Sequence, residues 1–215
     1  MRTATISSGL AEALAEFRTI RERTLAMVNE LTQTQLDYAP APQRWSAGEV
    51  LDHMLLGERI NRQQLARLIE MSRKGVNPEL SLTFSDLNIS VVGVPPSVLA
   101  MLETPITLMN MFVPDRLRNY LTRTRLIPFR NPDQATPRRK RTAVELRNDL
   151  VSSLRETELL FQKNPDLDFI RMIVRHPLLG SYDVPELLRF MAAHEERHQS
   201  QLAEVLADTG CPGSG

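Results

Sequence analysis

The chain is poor in cysteine, glycine and aromatic residues, and each shortage narrows the range of folds. Cys211 is the only cysteine among 215 residues, so no disulfide can form within the chain, which fits a reducing compartment. Nine glycines, 5% aromatic residues and 42% hydrophobic residues are typical of a helical protein. The length is sufficient to bury a sizeable core.

The sequence also lacks a charge imbalance and long apolar runs. Lys and Arg together number 26, as do Asp and Glu, so net charge gives no reason to expect nucleic acid or an anionic membrane as partner. No run of apolar residues reaches the ~18 that a transmembrane helix needs. The N-terminus shows no signal-peptide pattern. We expect a cytoplasmic protein without a membrane partner.

Four segments have the apolar periodicity of amphipathic helices. We predict helices at residues 7–32, 46–73, 142–163 and 183–208. Capping boxes mark the start of the last three: Ser46 with Glu49, Thr142 with Glu145, and Asp183 with Glu186. The sequence therefore predicts an all-α fold, a four-helix bundle within a single domain covering residues 1–215. A short helical piece at 167–175 and a turn at 176–180 are expected before the last helix.

The connection between the second and third helices, residues 74–141, is predicted to be elaborate. Eight of the chain's 14 prolines lie between Lys74 and Pro137, which excludes a long helix but permits short ones at 97–111 and 114–126. Residues 116–141 contain nine Arg or Lys against one Asp, a local charge of +8. We interpret this stretch as a solvated basic loop; an anion-binding rim is an alternative, and sparse aromatic residues argue against nucleic-acid binding.

Three of the four histidines suggest a metal site. His194 and His198 are four residues apart on the inward face of the last predicted helix, so both imidazoles can bind one ion. His53 lies on the buried side of the second helix, and Gly57, one turn further on, leaves room for a close neighbour. Three protein ligands leave a coordination position open, as in catalytic sites. His176 precedes a proline in an irregular segment and ranks below these three.

Residues near both ends of the chain match a known pattern: Trp45-Ser46, Glu49, His53, His176-Pro177, Gly180 and the stretch from His194 to Leu202. They resemble the DinB-like (DinB/YfiT) superfamily of bacterial four-helix proteins. The resemblance implies that His53, His194 and His198 bind a divalent metal, with Zn, Ni and Fe all compatible with imidazole ligands. Some members are transferases or isomerases that use a low-molecular-weight thiol such as bacillithiol or mycothiol. The long basic connection does not match the general pattern.

Other functions are compatible with parts of this pattern. Residues 194–198 also fit the H-E-x-x-H metalloprotease motif, with Glu195 as the base, but no histidine follows His198 to supply the usual third ligand. A di-iron site would need a second E-x-x-H and further inward glutamates. A non-catalytic, stress-related metal-binding or scaffold protein is the main alternative to an enzyme acting on a small-molecule substrate. A homodimer formed through an exposed apolar helix face is a further expectation.

Overall fold

Five helices and three short strands make up the described part of the chain. The computed structural model describes residues 8–83, 136–176 and 180–213. The helices are α1 (Ser8–Asn29), α2 (Gln33–Asp37), α3 (Ala47–Arg73), α4 (Ala143–Gln162) and α5 (Val184–Leu206). The strands are β1 (Glu79–Ser81), β2 (Ile173–His176) and β3 (Gly180–Asp183), and a 3₁₀ turn spans Phe169–Arg171. The predicted short helices at 97–111 and 114–126 lie outside the described residues.

Capping boxes fix where the long helices begin. In α3, the Ser46 side chain accepts a hydrogen bond from the backbone N–H of Glu49, and the Glu49 carboxylate accepts one from the Ser46 N–H. α4 and α5 begin with the same reciprocal pair of bonds. These bonds satisfy backbone donors that a helix start would otherwise leave open. The observed ends of the four long helices lie within three residues of the predicted ones.

The four long helices pack in pairs. α1 contacts α4 and α5, and α3 contacts the same two helices. Each long helix therefore has two long neighbours, as in a helical bundle. The predicted all-α class is confirmed, with a small sheet added beside α5. Among the described residues, no helix is both long enough and apolar enough to cross a lipid bilayer.

The small sheet corrects one prediction. Residues 167–175 were expected to be helical, but they contain a single 3₁₀ turn and most of β2. Of the expected turn at 176–180, His176 ends β2 and Gly180 begins β3, and residues 177–179 lie outside the described part of the chain. β2 pairs in parallel with β1 and antiparallel with β3. The β-branched pair Ile173 and Val174 favours a strand, and the parallel partner comes from the distant β1, which local periodicity does not reveal.

A second local correction concerns α2. No helix was predicted between residues 32 and 46, but Thr32 and Gln35 form a capping box that begins a short helix there. The same pair of reciprocal hydrogen bonds that starts α3 also starts α2. α2 packs against α3 and contributes Leu36, which is fully buried, to the core. This element helps to fix the N-terminal end of α3, where the site is found.

The hydrophobic core is divided into two clusters by a polar layer. The first cluster lies near the sheet and includes Phe17, Leu68, Phe161, Val174 and Leu188. The second lies near the start of α3 and includes Val28, Leu36, Val50, Leu150 and Leu202. Between the two clusters, each long helix contributes buried polar residues: Arg21 and Thr24 from α1, Glu58 from α3, Ser153 and Thr157 from α4, and Glu195 and His198 from α5.

Candidate metal centre

The fold brings His53, His194 and His198 together at this polar layer. One ring nitrogen from each lies within 4.8 Å of the others, so the three could hold a metal ion. His53 and His198 are buried, and His194 is half-buried. His53 comes from the second turn of α3, and the other two stand one turn apart on α5. Two packed helices therefore supply the predicted set of three imidazoles.

The spacing of His194 and His198 suits a metal ion of zinc size. The Nε2 atoms of His194 and His198 are 3.2 Å apart. Two imidazoles bound to a tetrahedral ion at about 2.1 Å would place their nitrogens about 3.4 Å apart. The Nδ1 of His198 lies 2.9 Å from the amide oxygen of Gln201. Because that oxygen only accepts, Nδ1 carries the hydrogen and the Nε2 lone pair faces His194.

Two neighbours shape the space around the histidines. The Trp45 ring, just before the cap of α3, lies against His53 with 4.8 Å between ring centroids. On the other side, a Cβ added to Gly57 would lie 3.3 Å from Cε1 of His194. Glycine at this position lets the α5 imidazole approach the backbone of α3 closely. The bulk-removing role proposed for Gly57 is therefore confirmed.

The site favours neutral imidazoles. Burial, followed by the nearby His198, His53 and Arg197, lowers the pKa of His194 well below its ordinary value of 6.5. A neutral ring has a lone pair available for coordination, whereas a protonated ring does not. His194 is consequently in its metal-binding form at neutral pH.

A buried ionic network adjoins the histidines and connects all four long helices. Arg21 donates from Nε and Nη2 to the two carboxylate oxygens of Glu195, each at 2.8 Å. Its Nη2 also donates to Glu58 at 2.8 Å, and its Nη1 to the backbone carbonyl of Leu150 at 2.7 Å. Thr157 donates to the remaining oxygen of Glu58 at 2.8 Å. Burial opposes the charge of Arg21, but the two carboxylates outweigh it and raise its pKa.

This network gives Glu195 a different role from that of a protease base. Both oxygens of Glu195 accept from Arg21, and one also accepts from Thr24 at 2.5 Å. The side chain is 3% exposed and is held on the face of α5 that packs against α1. A general base needs a free lone pair beside the water that it activates, whereas Arg21 and Thr24 already occupy three of the roughly four lone-pair sites of Glu195. The placement argues against the H-E-x-x-H interpretation.

Part of the basic segment forms ion pairs with α3. Asp52 accepts from the backbone N–H of Arg138 at 2.7 Å and from Nη1 of Arg141 at 2.7 Å. Arg139 donates from Nε to Glu49 at 3.0 Å. Residues 116–135 lie outside the described part of the chain. Within 136–141, these arginines attach the end of the connection to α3, while the side chains of Arg138 and Arg139 remain largely exposed.

The ionic network and the residues that orient the histidines were not predicted from the sequence. Arg21 lies four residues after Phe17 and three before Thr24, on the inward stripe of α1, and that position was the available signal. Gln201, three residues after His198, could have been found by the same spacing. His176 lies in β2, outside the three-histidine group, in agreement with its lower rank.

A mostly helical fold with three converging histidines defines a helical-bundle protein with a candidate metal site. The family model described as the DinB superfamily matches residues 16–202. The chain therefore belongs to the DinB superfamily, which confirms the resemblance seen in the sequence. No curated protein and no solved structure matches the chain.

Proposed function

We propose that the chain binds a divalent metal ion through His53, His194 and His198 and catalyses thiol-dependent transfer or isomerisation of a small electrophilic substrate. The observation that carries this proposal is the convergence of three imidazole nitrogens from two helices within 4.8 Å of one another. Three neutral nitrogen ligands leave at least one position for water or substrate. Membership of the DinB superfamily supports the same conclusion.

Residues around the histidines favour the ring forms that can bind a metal ion. Gln201 fixes the tautomer of His198, and the low pKa of His194 keeps its ring neutral. Phe17, Met54 and Met191 form the apolar part of the wall of a small cavity next to His194. When bound, a metal ion would supply Lewis acidity and lower the pKa of a bound thiol or water.

A screen of thiols and electrophiles tests the catalytic part of the proposal. The protein would be loaded with Zn²⁺, Ni²⁺ or Fe²⁺ and mixed with bacillithiol, mycothiol or glutathione and a panel of electrophiles. We expect thiol consumption with at least one pair, dependent on metal and absent in His53→Ala. Metal-loaded protein that neither binds a thiol nor turns over any electrophile would instead favour a non-catalytic metal-binding protein.

That second function has an observation in its favour. A metal ion held between α3 and α5 would tie together two helices that already share the buried Arg21 network. Such an ion would add its binding energy to folding. A structural role predicts a large rise in thermal stability on metal loading without any turnover.

A further inference from the structure

A small cavity lies between His194 and the buried ionic network. Its volume is about 10 Å³, which is close to the minimum for one water molecule. Its walls combine apolar side chains with four polar ones: Glu58, Asn61, His194 and Glu195. Water occupies cavities of this size when two to four polar partners are available, whereas purely apolar cavities stay dry.

When His194 binds a metal ion through Nε2, its other ring nitrogen, Nδ1, needs a hydrogen-bond partner. Metal-bound histidines usually donate their second ring N–H to a carboxylate, a carbonyl or a water. His198 meets this rule through Gln201. Among the described residues, none lies within hydrogen-bond distance of His194 Nδ1, whereas Nε2 of this ring faces Nε2 of His198 at 3.2 Å, where a shared metal ion would bind both lone pairs.

Two other groups that line the cavity have unused acceptor capacity. Glu58 accepts one hydrogen bond from Arg21 and one from Thr157 and forms an ion pair with Arg62 at 3.6 Å, whereas a carboxylate has about four lone-pair sites. The Asn61 amide donates to the carbonyl of Gly57 at 3.0 Å, and its side-chain oxygen accepts from no described residue. Glu195 already accepts three hydrogen bonds, so Glu58 is the better partner.

We propose that this cavity binds a single water molecule that accepts from His194 Nδ1–H and donates to Glu58 and to the side-chain oxygen of Asn61. The water connects a metal ligand to the Arg21–Glu58–Glu195 network. It holds the His194 ring in the tautomer whose Nε2 is free to coordinate. Asn61 and Glu58 are then positioning residues that act on the metal through His194. This inference rests on the proposed function, because it treats His194 as a ligand.

Asn61→Leu tests the proposal with zinc alone. Leucine has a similar size, fills the cavity without an acceptor and is a better helix former than asparagine. We expect the affinity for Zn²⁺, measured by competition with a chelating indicator, to fall about 10- to 100-fold, as for other partners of metal-bound histidines. Asn61→Asp keeps an acceptor oxygen and should bind at least as tightly as the wild type. Asn148→Leu, the same change at an exposed position of α4, is the matched control and should leave the affinity unchanged.

The outcomes separate this inference from the proposed function. Zinc binding by Asn61→Leu at wild-type affinity would overturn the bridging water while leaving the three-histidine site intact. Failure of the wild type to bind zinc would overturn both. If Asn61→Leu does not fold, NMR of ¹⁵N-histidine-labelled wild-type protein decides. A protected Nδ1–H of His194 with a cross-relaxation peak to a bound water supports the proposal, and absence of that peak refutes it.

Discussion

At the scale of single residues, Arg21 is the charged group at the centre of the protein interior. It is fully buried and accompanied by two buried carboxylates, Glu58 and Glu195, which makes it the centre of the polar layer between the two hydrophobic clusters. A buried charge is tolerated only when paired and hydrogen-bonded, and here four donor–acceptor contacts satisfy the guanidinium. The network joins helices that are far apart in the sequence and sets the rotation of α5 next to the histidines.

Replacing Arg21 should destabilise the fold strongly. Arg21→Met leaves two carboxylates buried without their cation, so we expect the free energy of unfolding to fall by about 3–5 kcal/mol in urea titrations. Arg18→Met is the matched control on the same helix, because Arg18 pairs with Glu158 at the surface and is 53% exposed. That change should cost about 0–1 kcal/mol. Equal stability of the two variants would contradict the assigned role of Arg21.

The stability of the metal-free protein should fall at low pH because of two histidines. Burial lowers the pKa of His176 to about 3 and contributes most to lowering that of His194. In the unfolded chain both would protonate near their ordinary value of 6.5, so the unfolded state gains protons first as the pH falls. The free energy of unfolding should therefore be level above that pH and decrease below it.

Urea titrations between about pH 7 and pH 5, with a chelator present, measure this effect. His176→Gln lacks one of the two titrating rings and should lose stability less steeply than the wild type over this range. Identical slopes for the two proteins would show that His176 is not the source.

At the scale of elements, the close approach of α5 to α3 depends on Gly57. Gly57→Ala improves helix propensity by about 0.5–1 kcal/mol but places a methyl group 3.3 Å from the His194 ring. We expect weaker Zn²⁺ binding, by roughly tenfold as for other changes next to metal ligands, without loss of folding. Gly9→Ala in α1 is the matched control, because its added Cβ would meet nothing within 4 Å. Equal zinc affinity in both variants would contradict the role of Gly57.

Features that depend only on residues close together in the sequence could be predicted, whereas features that need distant partners could not. A capping box such as Ser46 with Glu49 is complete within four residues, so the start of α3 could be predicted from sequence alone. The spacing of His194 and His198 on one helix was equally local. β2 was not recognised because it is only four residues long, too short to show a period, and one of its two partners, β1, comes from a distant part of the chain. The ionic network was missed for the same reason, since Arg21 gains its partners only when three other helices pack around it.

At the scale of the whole molecule, the polar layer separates two hydrophobic clusters, and unfolding experiments can show whether both unfold together. The two hydrophobic clusters are separate, yet each long helix passes through both and through the layer between them. The single domain covering residues 1–215 and the homodimer both stay predictions. Light scattering that gives the mass of one chain would refute the dimer.

One cooperative unfolding transition is expected for a single domain. Trp45 is the only tryptophan in the chain and lies in the cluster near the start of α3, so its fluorescence reports that end of the bundle. Circular dichroism reports all the helices. Urea curves from the two probes should coincide. An earlier transition in fluorescence would show that the cluster near the start of α3 unfolds independently.

The central claim is that His53 completes a metal site with His194 and His198, and metal content tests it most directly. Wild-type protein and His53→Ala would be dialysed against Zn²⁺ and then metal-free buffer, and zinc per chain measured by mass spectrometry. His176→Ala is the control, since it removes the remaining histidine, which lies outside the cluster. We predict about one zinc ion per chain in the wild type and the control, and almost none in His53→Ala, because two nitrogens hold an open site poorly. Full retention of zinc by His53→Ala would contradict the account.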